Sequence, residues 1–467
     1  MKKTLTRGFL AVLPAVLLLA ACGPTTPHSE TINRLQADAL ESDLAWELLS
    51  SLTTDVGPRM PGTRGDALGV SWAEAEFKRL GFDRVRKERV TFPLWRRGFE
   101  QARVVLPRVQ DFAVTALGGS PGTGGIVSAE VVYFPDLAML EAAAPGSLDG
   151  KIAFISERME RTRSGRGYGR AVAGRTEGPY VAAEKGARAL IIRSVGTDND
   201  RLPHTGQIST SRTGPAVPSA AISNPDADLL VAMLESDERV RMELRLDVGY
   251  TGEEAESYNV IGEFDGREDN GEYVMIGAHL DSWDLGTGAH DDGAGVAITM
   301  AAARLVANLP ERPRRGIRVV LFANEEQGIF GGKAYARAHA GDLASHVIGA
   351  EADLGAGRIY QFRSRVRPEA EDAMDELARY LAPLNIPRQL DRPASGGADI
   401  GQMRAIGLPV VDLNHDASRY FDLHHTANDV LAQVDPEDIA FNVAAYVTFV
   451  YFTAETDVVF GPVETTE

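Results

Sequence analysis

The chain reads as an α/β protein: a mostly parallel sheet sandwiched by helices, carrying an inserted β-rich domain. Three observations predict this. From about residue 255 onward, short apolar strand-like runs alternate with amphipathic helical runs, the pattern of a parallel sheet covered on both faces. Between about 107 and 245 the character changes to short apolar runs separated by Gly, Pro and Ser. Finally, 467 residues, 44% of them hydrophobic, are ample for two packed cores.

Taken in order, residues 42–52 and 67–80 have helical apolar periodicity, and Gly81 stops the second as a C-terminal glycine does. Val90, Phe92 and Leu94 alternate with other residues, a weak strand signal interrupted by Pro93. In the insert, 126–134, 151–155, 189–192 and 220–222 are strand-like, and a short helix over 180–185 precedes Gly186. Segment 161–175, rich in Arg and Gly, predicts an exposed loop. The body then alternates strand 273–276, helix 293–309, strand 317–323, helix 329–339, strand 346–350, helix 368–381, strand 408–413 and helix 436–454. No internal repeat is present.

The N-terminus predicts export. Lys2, Lys3 and Arg7 precede an apolar segment, 9–19, too short for a comfortable membrane span. Leu19-Ala-Ala-Cys22 has the form of a bacterial lipobox, so residues 1–21 read as a signal peptide and Cys22 as the lipidated first residue of the mature chain. Residues 22–29 form a tether. The main body is discontinuous, 30–106 and 246–467, around the insert at 107–245. No later segment is long and apolar enough to span a membrane, so the expectation is a soluble body facing the periplasm or exterior of a bacterial envelope, held by lipid. Cys22 is the only cysteine, which leaves no intramolecular disulfide. A net charge of -18 disfavours nucleic acid as a partner, since that is bound through Lys and Arg.

The chemistry is concentrated in Gly277-Ala-His-Leu-Asp-Ser-Trp-Asp-Leu-Gly-Thr-Gly-Ala-His-Asp-Asp-Gly-Ala-Gly295 and Asn324-Glu-Glu-Gln-Gly328, joined by Asp353 and His425. Each of His279, Glu325, Glu326, Asp353 and His425 follows an apolar strand-like run, and open α/β sheets bind ligands at the carboxyl ends of their strands. Asp281, two residues beyond His279 in extended chain, points the same way and is placed to accept a hydrogen bond from the second imidazole nitrogen. Asp291 sits in a Gly-rich turn where a carboxylate can bridge two cations; Asp292 beside it reads as a helix cap. Adjacent buried carboxylates repel unless a cation or proton separates their roles. One of Glu325 and Glu326 can therefore bind metal while the other stays free as a general base. Asp291, Glu326 and His425 then make one metal site, and Asp291, His279 and Asp353 the other. Oxygen and imidazole donors without thiolate suit catalytic zinc, and manganese or cobalt as well.

These residues in this order resemble the M28 family of metallopeptidases, and within it the carboxypeptidase Q branch with its bacterial lipoprotein relatives. The likeness spans nearly the whole mature chain and includes Gly57-Pro-Arg-Met-Pro-Gly62, Glu351-Ala-Asp353 and His424-His-Thr426. It implies a zinc exopeptidase fold, two zinc ions held by His279, Asp291, Glu326, Asp353 and His425, Glu325 as general base, and Asp281 as the aspartate supporting the first histidine. The family's ligand directly precedes Thr or Ser, which selects His425 over His424. The insert resembles a protease-associated domain, carried by Gly150-Lys-Ile-Ala153, Ala182-Ala-Glu-Lys-Gly186 and Pro203-His-Thr-Gly206. His204 there reads as a plain loop histidine. Arg363, Arg365 and Asp399 fall near the cleft by chain position only, with surface or structural roles.

The expected function is hydrolysis of dipeptides or short peptides with a free N-terminus, the acidic cluster attracting the substrate amine. The alternatives are a general aminopeptidase or other amide hydrolase, and a metal-free binding lipoprotein. The last is opposed by the complete ligand set. Relatives pair as homodimers, and the resemblance extends that expectation here.

Overall fold

The computed structural model describes residues 28–236 and 239–465; residues 1–21, expected to be a signal peptide, and Cys22 lie outside them. Two sheets organise the chain. The larger has the strand order Arg84–Arg96, Gly249–Phe264, Gly316–Phe322, Tyr273–His279, His346–Glu351, Val410–His415, Ile359–Arg365. Its four inner strands from Gly316–Phe322 to Val410–His415 run parallel. The flanking pairings are antiparallel, so the sheet has the expected parallel centre and is mixed at its edges, not purely parallel.

The parallel strands read as unbroken apolar runs because both faces are covered. Val274, Ile276 and Ala278 pack into one core with Val296, Ile298 and Met300 of helix Ala294–Ala307 and with helix Pro436–Glu455. Met275, between them, faces the other way with Val320, Phe322, Tyr335 of helix Phe330–Ala338, and Ile400 and Met403 of helix Ile400–Ala405. This period-two alternation is the pleat itself. Gly295, in the first turn of helix Ala294–Ala307, lets the helix end approach the sheet: a Cβ there would lie 1.9 Å from the Ala352 carbonyl oxygen and 2.5 Å from Asp292 Oδ1.

Pro93 does not stop its strand. Arg84–Arg96 is an edge strand, where a missing N–H is tolerated, and its register shifts between Pro93 and Trp95. The second sheet has the order Gln110–Phe112, Glu100–Leu106, Arg241–Leu246, Val127–Phe134, Ile152–Ile155, Ala189–Arg193, Ser219–Ile222, Val114–Ala116. It draws in Glu100–Leu106 ahead of the insert's expected start and packs a separate core around Val104, Phe154, Ile191 and Leu244. Segment 161–175 is not all loop: Tyr168–Thr176 is a helix, and its Arg175 is buried. The reason is that a basic, Gly-rich composition carries no signal of the tertiary partner that covers it.

Candidate metal centre

Because the inner strands are parallel, their carboxyl ends lie on one edge, and that edge gathers the singled-out residues. His279 ends its strand; Glu325 and Glu326 follow Gly316–Phe322; Asp353 follows His346–Glu351; His425 follows the short helix Tyr420–Leu423 after Val410–His415. Asp291 enters from the loop before helix Ala294–Ala307.

Asp291 stands between the two imidazoles. Its Oδ1 is 3.1 Å from His279 Nε2 and its Oδ2 is 3.2 Å from His425 Nε2. Glu326 Oε2 lies 2.9 Å from the same His425 nitrogen, and Asp353 Oδ1 lies 3.7 Å from His279 Nε2. Ligand atoms of His279, Asp291 and Glu326 fall close enough together to hold one ion, as do those of Asp291, His424 and His425, and of His279, Asp292 and Asp353. All of these are buried except Asp353, which is partly exposed to the cleft.

Two of these donors have other work. Asp292 accepts hydrogen bonds from the main-chain N–H of His279 at 3.1 Å and of Gly295 at 3.2 Å, so it ties the end of the strand to the first turn of the helix, whose N-cap position is Gly293. His424 has Nε2 3.7 Å from Asp291 Oδ2, and its ring stacks on His425 with centroids 3.5 Å apart. His425 is the better placed of the pair: one ring nitrogen faces Asp291 and Glu326, and the other is 3.2 Å from the Thr205 carbonyl oxygen. A second hydrogen bond of that kind fixes the tautomer and orientation of a ligating imidazole. His425 and Asn324, which precedes Glu325, are held at φ 62° and 52°, the left-handed region that costs non-glycine residues energy and recurs at functional sites.

Asp281 behaves differently from expectation. His279 Nδ1 bonds the Asp281 carbonyl oxygen at 3.0 Å, while the carboxylate stands 3.6 Å off. The carboxylate instead accepts from the main-chain N–H of Glu325 at 3.0 Å and of Glu326 at 3.2 Å. It therefore positions both glutamates while standing at ion-pair distance from the His279 ring.

Electrostatics make the cluster a cation site. Burial pushes Glu325 well above the carboxylate range; His279 opposes this, and Asp353, Glu326 and Asp281 add to it. Burial likewise lifts Glu326 to about 7, against His425 and helped by Asp291. His425, though burial works against its charge, is raised to about 10 by Glu326 and Asp291. Too many carboxylates share too little water, and protons are retained in place of cations. Asp291 Oδ2 and Glu326 Oε1 are moreover buried without a hydrogen-bond donor. Buried oxygens of this kind need a partner, and divalent metal supplies it, so the donor set fits the ions that the sequence implied.

Three residues have supporting roles that the sequence did not reveal. Arg59, of the Gly57–Gly62 motif, is wholly buried beneath the loop that leads from His279 to Asp291. Asp429 accepts from the main-chain N–H of His290 at 2.6 Å and of Asp291 at 3.2 Å; only its closeness in sequence to His425 hinted at this. His204, read as a loop histidine, is 1% exposed, with Nε2 2.7 Å from Asp198 Oδ1 and Nδ1 2.6 Å from the His424 carbonyl oxygen. Asp399 is buried too, its carboxyl pushed well up by burial and then by Glu325. Arg363 pairs with Asp391, and Arg365 bonds the Ala394 carbonyl, which places both in structural roles.

The model for peptidase family M28 matches residues 259–450. Carboxypeptidase Q of Bos taurus is 31% identical over 414 residues, covering 88% of this chain and 86% of its own. The crystal structure of a Peptidase M28 precursor from Shewanella amazonensis SB2B superposes with a TM-score of 0.91 at 47% identity, covering 94% of this chain and 99% of that one. BSAP, a zinc aminopeptidase from Bacillus subtilis, superposes with a TM-score of 0.65 at 19% identity over 89% of this chain and 95% of its own, a likeness of fold.

Proposed function

This chain belongs to peptidase family M28, and from that membership we propose a two-zinc exopeptidase that hydrolyses dipeptides or short peptides with a free N-terminus. The observation that carries the reading is Asp291, whose two oxygens each face a different imidazole while Glu326 and Asp353 stand on either side. His279 and Asp353 would hold one ion, His425 and Glu326 the other, and Asp291 both.

When bound, the ions supply Lewis acidity, lowering the pKa of a water to about 7 and offsetting charge that grows on the scissile carbonyl oxygen. Glu325 lines the cleft beside this cluster and has no imidazole at ion-pair distance among the described residues. Its carboxylate takes the proton from the attacking water and delivers it to the departing amine nitrogen. Asp281 fixes the main chain of both glutamates and, through its carbonyl, the ring of His279. The acidic rim attracts the free α-amine of a substrate, which favours exopeptidase action.

The test is amino-acid release from a dipeptide panel by protein lacking residues 1–22, with chelator and with zinc restored, beside N-acetylated dipeptides and longer peptides. Cleavage is expected to be chelator-sensitive, restored by two zinc per chain, and confined to free dipeptides and short peptides. Steady trimming of long peptides would point instead to a general aminopeptidase, and no cleavage with two metals bound would remove the peptidase reading.

On the same proposal the chain is exported and lipid-anchored at Cys22. Among the described residues no helix is long and apolar enough to cross a membrane, so the lipid would be the anchor. Cys22→Ala is expected to abolish fatty-acid labelling and move the protein to the soluble fraction; a labelled or membrane-bound variant would refute the anchor.

A further inference from the structure

The insert contributes one wall of the cleft, a space of about 560 Å³ shared by Arg175, Gln207, Glu325, Glu326, Asp353 and His425. Arg175 is its unexplained member. It is 6% exposed. One terminal nitrogen bonds the Tyr168 hydroxyl and the other the Thr205 carbonyl oxygen at 3.4 Å, while Nε is buried with no partner. Among the described residues it forms no ion pair with any carboxylate, whereas Arg97 pairs with Glu100 and Asp284; the equally buried Arg59 also lacks one, but each of its guanidinium nitrogens donates to a carbonyl oxygen. A buried guanidinium without an anion is costly, and its planar fork is shaped for a carboxylate.

Its position sets which carboxylate. Arg175 Nη1 and His425 Nδ1 share the Thr205 carbonyl as acceptor, at 3.4 and 3.2 Å. A Cβ on Gly206 would lie 2.1 Å from the first and 2.8 Å from the second, so the glycine keeps the space between them free of side chain. The cation thus stands behind an imidazole whose other nitrogen, Nε2, faces Asp291 and Glu326, and a substrate group that reaches it lies about one residue, ~3.8 Å, beyond the attacked carbonyl. A carboxylate at that remove from the attacked carbonyl belongs to the residue just after the scissile bond. In a dipeptide that is the C-terminal carboxylate; in a longer peptide a neutral amide takes its place.

The geometry points to Arg175 as the residue that binds the free C-terminal carboxylate of a dipeptide and so limits substrate length. This rests on the exopeptidase reading above. An acidic side chain at the second position offers the same chemistry, and the test separates the two sources.

The zinc-loaded protein is given matched dipeptides with a free or amidated C-terminus, and amidated dipeptides carrying Asp or Glu second. Wild type is expected to favour the free terminus in kcat/KM by about 10²-fold, the scale of losing one partner of a buried charged hydrogen bond. In Arg175→Met that ratio should fall to near one, with Arg175→Lys intermediate. A ratio near one in wild type, or one unchanged in the variants, overturns the inference; the wild-type ratio decides even if a variant fails to fold. Rescue of amidated substrates by Asp or Glu would assign the guanidinium to acidic side chains and overturn the terminal assignment. Absence of cleavage of every substrate would fault the exopeptidase reading instead.

Discussion

Glu325→Gln is expected to lower kcat by roughly 10²–10⁴-fold, the range supplied by a positioned general base, with zinc content unchanged. The amide has the shape of the carboxylate, and what places it survives the change. Glu325 is held by its main-chain N–H on Asp281, not by its side chain. Its side chain faces the cleft, whereas that of Glu326 is buried against His425. The two glutamates should therefore fail in different ways. Glu325→Gln should bind metal and not turn over, while Glu326→Gln should lose metal first. Steady-state kinetics beside metal analysis reads both. Near-normal turnover by a metal-loaded Glu325→Gln protein would remove Glu325 from the mechanism.

The second large effect is expected at Arg59, which is buried beneath the metal-site loop. Its guanidinium is fully buried and donates to the carbonyl oxygens of Gly57 at 2.9 Å, Leu280 at 2.6 Å, Thr287 at 2.7 Å and Gly288 at 3.0 Å. Burial lowers its pKa to about 10, with Asp429 and Asp281 opposing the fall, so it stays charged at neutral pH. It works as a clamp on the loop between His279 and Asp291. Arg59→Met would leave those buried carbonyls without donors and remove a cation from beneath an acidic cluster. The expected loss is about 3–5 kcal/mol of stability, read as a lower urea midpoint, together with weaker zinc retention. Arg59→Lys should recover little, because one ammonium cannot span the same carbonyls. A midpoint equal to wild type in Arg59→Met would show that the clamp is dispensable.

What could be seen in the sequence follows from burial. The inner strands, covered on both faces, read as apolar runs: 273–276 was expected against Tyr273–His279, and 346–350 against His346–Glu351. Gly249–Phe264 and Ile359–Arg365 were not foreseen. The first opens on the exposed, acidic Gly249–Glu256 stretch, and the second carries Gln361, Arg363 and Arg365, so neither has a continuous apolar signal. The cluster of His279, Asp291, Glu325, Glu326, Asp353 and His425 was legible because parallel strands bring their ends to one edge. Its supports were not. Asp281 turns its carboxylate to the main chain of Glu325, and Arg59, Asp429, His204 and Arg175 act through contacts between segments far apart in the chain, which no local pattern encodes.

The long antiparallel pair Arg84–Arg96 and Gly249–Phe264 has a consequence for how this architecture can be rebuilt. The chain leaves the body and returns to it side by side, with Arg96 opposite Gly249, so a short splice there would excise the insert without severing the larger sheet. Connectivity thus presents the insert as a detachable module. The hydrogen bonds contradict that: Thr205 donates its N–H to the His425 carbonyl at 3.1 Å and offers its own carbonyl to that imidazole. A trimmed descendant of this chain, natural or designed, would need to evolve a replacement brace for His425 before it could dispense with the domain.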